Sequence, residues 1–121
     1  HYYFADNYRA DSGLIATMGV LGEMCHTGKS LSQMREPLER YASSGEINTT
    51  VDDIHAVIER IALDYSSHSQ DRVDGLTVDC GSWWFNVRAS NTEPLLRLNL
   101  EASTRDECDT HVVELLASIT A

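Results

Sequence analysis

Two short runs with a period of two set what this chain can become. Trp83 to Val87 places Trp83, Phe85 and Val87 on one side, and Leu95 to Leu100 does the same with Leu96, Leu98 and Leu100. Between them lies one short turn, Arg88-Ala89-Ser90-Asn91-Thr92-Glu93-Pro94. Alternation at this period predicts half-buried strands, and two such runs joined by a turn predict an antiparallel hairpin with one apolar face. That face must be covered. Asp52 is placed to cap a helix that carries Ile54, Val57, Ile58, Ile61, Ala62 and Tyr65 along one side. Thr104-Arg105-Asp106-Glu107 reads as a capping box opening a second helix, with Cys108, Val112, Leu115, Leu116 and Ile119 on its apolar side.

Two further runs complete the pattern. Ile47, Thr49 and Val51 alternate, as do Leu76, Val78 and Cys80, and Gly81-Ser82 turns the chain into Trp83. Ser66 to Asp71 is polar and reads as loop. The order β-α-β-β-β-α predicts an α+β fold: a four-stranded, mostly antiparallel sheet with two helices on one face. The preceding part reads differently. After the aromatic run Tyr2-Tyr3-Phe4, Asp11-Ser12 can cap a helix with Leu14, Ile15, Met18, Leu21 and Cys25 at helical spacing. Gly13, Gly19 and Gly22 weaken it, each by about 0.8–1 kcal/mol relative to Ala. Ser30-Leu31-Ser32-Gln33 is another capping box, with Leu31, Met34, Leu38 and Tyr41 on one face and Pro37 set to kink the helix. Ala42-Ser43-Ser44-Gly45 is small and flexible in character, so the division is expected there, with residues 1–40 a helical piece and residues 41–121 the sheet domain.

A net charge of -10, from 19 acidic and 9 basic residues, opposes nucleic-acid binding, and no RNA-binding aromatic motif is present. No run is apolar enough to cross a bilayer, so no membrane association is expected. Cys25, Cys80 and Cys108 are widely spaced and form neither a paired framework nor a CxxC motif. They read as free thiols of a reducing compartment, which makes a cytoplasmic location the expectation.

The turn is where chemistry concentrates. Arg88 offers a planar fork of donors, Ser90 and Thr92 hydroxyls, Asn91 an amide, and the turn itself backbone N–H groups. That is equipment for holding a phosphate. The same residues also make an ordinary polar hairpin turn by their local chemistry. Elsewhere the structural reading is better. His26, His55, His68 and His111 do not cluster at ligand spacing, and no serine has a histidine and an acid at nucleophile spacing. Asp52-Asp53 and Asp106-Glu107 sit at helix starts, where they complement the helix dipole. Trp83 and Trp84 must point to opposite faces, so only one can be core. Arg97 faces away from the core side of its strand and reads as a surface charge. Glu93 is expected to point away from the turn or to pair with an arginine.

The string Arg88-Ala89-Ser90-Asn91-Thr92-Glu93-Pro94, followed by an alternating strand, resembles the phosphate-binding loop in the last domain of the α-D-phosphohexomutases, in particular the phosphomannomutase/phosphoglucomutase group. His1-Tyr2-Tyr3-Phe4 resembles the continuation of the family's GExSGH motif, with His1 its last residue. Tyr8 to Gly28 is similar to the following helix, Tyr41 to Asn48 to the entry of the last domain, and Gly81 to Arg88 to the strand before the loop. The likeness covers nearly all of the chain. It implies that the chain is a piece, the end of the third domain plus the fourth of a four-domain enzyme. It further implies transfer of a phosphoryl group from a phosphoserine to a hexose phosphate through a hexose bisphosphate, with Mg²⁺ held outside this piece. Arg88, Ser90, Asn91 and Thr92 would grip the phosphate that is not reacting, and His1 would be a proton shuttle in the full enzyme. Asn91, where the phosphoglucosamine mutase group carries Gly, leans toward hexose 1- and 6-phosphates. A small regulatory or protein-interaction domain is the alternative from another class, since two-layer α+β folds host many binding modules.

Overall fold

The computed structural model describes residues 1–121 and divides into two compact units, His1–Glu39 and Arg40–Ala121. The first unit holds α1 (Gly13–Thr27), α2 (Leu31–Arg35) and a 3₁₀ turn (Glu36–Leu38). Ser12 caps α1 by accepting from the Ile15 N–H, and Gly28, at φ 67°, ends it. The Ser30–Gln33 capping box forms in both directions. Pro37 falls inside the 3₁₀ turn, so the proline tightens and shortens the helix. Tyr2–Phe4 makes only a single antiparallel bridge, Tyr3 to Asp11. None of residues 1–39 is buried; Leu14 and Met18 of the apolar stripe of α1 stand 75% and 60% exposed.

The second unit has the core. Its elements are β1 (Ala42–Ser43), β2 (Ile47–Thr49), α3 (Ile54–Asp64), β3 (Ser69–Asp71), β4 (Leu76–Asp79), β5 (Trp83–Ala89), β6 (Leu96–Ala102) and α4 (Arg105–Thr120). All pairings are antiparallel. The order is β6-β5-β4-β3, with β1 and β2 both on the free edge of β6. Register stacks the apolar positions on one face: Leu76 opposite Val87, Val78 opposite Phe85, and Phe85 and Val87 opposite Leu100 and Leu98. These residues are fully buried, together with Leu96, Ile61, Cys108 and Leu115. Both long helices therefore lie on that one face, and the α+β architecture is as expected. Trp83 joins the core side, stacked on His111 at 3.9 Å and near Tyr65, while Trp84 is on the open face.

Three local expectations need correction. The sheet has six strands, not four. Ser69–Asp71, expected to be loop, is an edge strand opposite Thr77–Asp79, and the Gln70 amide donates to the carbonyls of Ala62 and Tyr65 at the end of α3. Ala42–Gly45, expected to be flexible, is also tied to the sheet. Ala42 and Ser43 pair with Ala102 and Glu101, and Ser44 exchanges two bonds with Leu100, its N–H to the carbonyl and its hydroxyl accepting from the Leu100 N–H. The Ser44–Gly45 step, with Gly45 at φ 65°, then separates β1 from β2. Finally, the cap of α3 is Asp53, not Asp52; its carboxylate accepts from the Ala56 N–H.

Candidate anion-binding site

Because strand side chains alternate, the polar residues of β4, β5 and β6 line the face opposite the helices. At one end of that face Arg88 stands directly opposite Arg97. The turn between them is closed by Ser90, whose N–H donates to the Leu95 carbonyl at 2.8 Å, and by Leu95, whose N–H donates to the Glu93 carbonyl at 2.8 Å. The Ser90 hydroxyl is the hub of the turn. Its oxygen accepts from Arg97 Nη2 at 3.1 Å and from the Thr92 N–H at 3.4 Å, and the Thr92 hydroxyl lies 3.5 Å away. Asn91 and Thr92 are exposed at the tip.

Arg88 is held from two sides. Its Nη2 is 3.4 Å from Glu46 Oε2 and its Nη1 is 3.6 Å from Asp74 Oδ2. Arg97 Nη1 reaches the same Glu46 oxygen at 3.5 Å. The Arg97 side chain is 25% exposed, and its Nε is buried without a partner. Arg97 is therefore part of the cluster, which corrects its reading as a plain surface charge. Glu93 makes no ion pair and points into solvent. A cavity of about 500 Å³ adjoins the turn, walled by Arg88, Asn91, Asp74, Gly75, His55 and Ile58. A second groove, of about 430 Å³, also belongs to this unit, but Asp79 and Glu101 line it beside Trp84 and Tyr41, which suits an anion poorly.

Arg88, Ser90, Asn91 and Thr92 thus come together, and Arg97 and Glu46 join them. Sequence reading missed those two because each is brought in by a pairing partner: Arg97 by β5, and Glu46 by β2, whose Asn48 lies opposite Arg97. The faint signal was parity, since Arg88 and Arg97 sit on the polar alternate of their strands and Glu46, just before β2, continues the polar alternate that Asn48 occupies. His1 lies in the first unit, exposed and bonded to Asp11. Among the others, His111 bonds Glu114 while stacking on Trp83, and His68 sits by Tyr65. No three His, Cys, Asp or Glu side chains converge to hold a metal ion, so the residues present do not fit a Mg²⁺ site. The three cysteines are free; burial raises the pKa of Cys80 and Cys108, with Asp79 adding to the effect at Cys80. No helix is long and apolar enough to cross a membrane.

Comparison with known proteins matches residues 46–118 to the family model described as phosphoglucomutase/phosphomannomutase, C-terminal domain. The chain is 38% identical over 115 residues to a phosphomannomutase of Methanocaldococcus jannaschii, covering 95% of this chain and 26% of that protein. It is 42% identical over 104 residues to a protein of Xanthomonas campestris described as phosphohexose mutases, covering 84% of this chain and 23% of the relative. The chain thus spans about a quarter of the length of these relatives. In three dimensions it is similar to a phosphoglucomutase/phosphomannomutase family protein from Burkholderia thailandensis, with a TM-score of 0.66 at 23% identity over 98% of this chain and 26% of that one, a likeness of fold.

Proposed function

Since the chain belongs to the phosphoglucomutase/phosphomannomutase family, we propose that its turn Arg88–Thr92 grips the phosphate of a hexose phosphate that is not reacting. The observation that carries this reading is the convergence of Arg88, Arg97 and the Ser90 hydroxyl at one end of the open sheet face, beside the exposed Asn91 and Thr92. Guanidinium groups suit a phosphate because their planar forks offer paired donors to its oxygens. The grip holds a substrate in place; it makes and breaks no bond, and positioning of this kind is itself a large part of catalysis. Residues 1–40 are then the end of a third domain and residues 41–121 a phosphate-binding fourth. The phosphoserine and any assisting Mg²⁺ sit on other domains of a longer chain, which are this unit's partners, and no step assigned to this chain passes through a metal. A hexose bisphosphate formed during transfer would turn round and present either phosphate to the same turn. By itself the chain does not interconvert hexose 1- and 6-phosphates.

The test is a titration of the 121-residue chain with inorganic phosphate and with mannose 6-phosphate, followed by backbone amide shifts. Ser90, Asn91 and Thr92 are expected to move first, with a dissociation constant on the order of millimolar, or about 4 kcal/mol of binding. Arg88→Ala is expected to abolish the response without unfolding the domain, because Arg88 lies on the face opposite Phe85 and Val87. A response confined to Lys29 or the histidines, with the turn unmoved, removes the grip.

A further inference from the structure

Arg88 and Arg97 are cross-strand partners. Like charges directly opposite each other on a sheet destabilise it. The repulsion is relieved by a single carboxylate oxygen, Glu46 Oε2, 3.4 Å from Arg88 Nη2 and 3.5 Å from Arg97 Nη1. Asp74 touches the other side of Arg88 at 3.6 Å. Two guanidiniums therefore face two carboxylates, and the cluster carries no net charge. A phosphate monoester, with about −1.5 to −2 charges at neutral pH, gains little from meeting a neutral cluster.

The geometry of the Glu46 contacts shows how the cations are released. Strong charge-assisted bonds to a carboxylate run at about 2.7–2.9 Å and often engage both oxygens. Arg72 and Glu59 bond in that two-point way, Nη1 to Oε1 and Nη2 to Oε2, as a closed pair. Glu46 instead uses one oxygen at long range to both arginines, and its side chain is 36% exposed. It sits just before β2, which is three residues long, and next to Gly45. Arg97, by contrast, is anchored: Nη2 donates to the Ser90 hydroxyl oxygen, and its Nε is buried.

We propose that Glu46 is an internal counter-ion standing where the ligand phosphate goes, and that the phosphate binds by displacing it, so that Arg97 becomes the second cation of the grip. This rests on the phosphate-grip reading, which already sets Arg97 beside Arg88, and adds to it a resident competitor that must leave before both arginines reach the phosphate. Arg97 then both orients the Ser90 hydroxyl and supplies charge. Glu46 keeps the two arginines from driving β5 and β6 apart when the site is empty, at a cost in affinity.

The experiment compares Glu46→Gln with the wild-type chain at neutral pH, titrating inorganic phosphate and reading two signals: the amides of Ser90–Thr92 and the side-chain Nε–H resonances of Arg88 and Arg97. Glu46→Gln keeps the size of the side chain and removes its charge. It is expected to bind phosphate about tenfold more tightly, which is about 1.4 kcal/mol, and both arginine resonances are expected to shift in both proteins. If the wild-type turn responds and Glu46→Gln binds equally or more weakly, the carboxylate is a strut and the inference is overturned while the grip stands. If the turn responds but the Arg97 resonance stays fixed, Arg97 is no second cation and the inference again fails. Binding seen only in Glu46→Gln supports it in its strongest form. If neither protein responds, the grip itself falls and the inference with it.

Discussion

Gly75 offers the sharpest test of how the site is positioned. It precedes β4 with φ at +72°, and a β-carbon placed on it would lie 2.4 Å from the Val87 carbonyl oxygen and 2.6 Å from Arg88 Cβ. Both obstacles belong to β5, in the middle of the sheet, so neither can swing aside as a side-chain tip would. Gly75→Ala therefore meets two separate penalties. Holding an L-residue in the left-handed region costs about 1–2 kcal/mol. Forcing extra volume against packed backbone costs about 1–3 kcal/mol more. Gly45→Ala separates the two, because Gly45 has nearly the same φ, +65°, and open space where its β-carbon would be. Equilibrium urea unfolding is expected to show Gly45→Ala losing about 1–2 kcal/mol and Gly75→Ala losing about 1–3 kcal/mol beyond that. The added strain falls on the Cα and Cβ of Arg88, so Gly75→Ala is also expected to weaken the phosphate response of the turn. Equal losses for the two substitutions would refute the close-approach argument and leave only the backbone conformation.

Three further outcomes follow from the same structure. Amides of Leu96–Leu100 are expected to exchange far more slowly than those of Leu14–Leu21, since the first segment is central and buried while α1 buries nothing; equal protection by hydrogen exchange would contradict this. With a thiol-specific alkylating reagent at neutral pH, Cys25 is expected to react first and Cys108 last, because Cys25 is exposed and burial raises the Cys80 and Cys108 pKa values, leaving less thiolate; peptide mapping of the label checks the order. Arg72, mainly through its hydrogen bond, holds the Glu59 carboxyl below its ordinary value of 4.5, so the pair's contribution is present above that value and is lost as pH falls through the lowered one; the stability difference between wild type and Glu59→Gln is expected to vanish in acid, and a difference that grew there would reverse the sign.

Much of the fold was legible because its signals are local. The period of two in Phe85, Val87, Leu96, Leu98 and Leu100 specifies which face is buried before any partner strand is known, and Ser12, Ser30 and Thr104 announce helix starts through bonds that reach only three residues on. The grouping of Arg88, Ser90, Asn91 and Thr92 was legible for the same reason, as they are neighbours in the chain. The pieces that escaped depend on distant residues. Ser69–Asp71 lacks any apolar alternation and is a strand because β4 offers it an edge and because Gln70 finds the carbonyls at the end of α3. Ala42–Ser43 is a strand only because β6 extends far enough to pair with it, and the Ser44 hydroxyl supplies the acceptor that the interrupted ladder lacks. Asp52 and Asp53 are equal as caps by residue type; the path of the chain leaving β2 decides for Asp53. Arg97 looked like one charge on a solvated face until register set it against Arg88 and within reach of Ser90 and Glu46. Periodicity and capping are written into a few consecutive residues, whereas the charge balance of this site is a property of three strands at once, and only their pairing brings Glu46, Arg88 and Arg97 to one place.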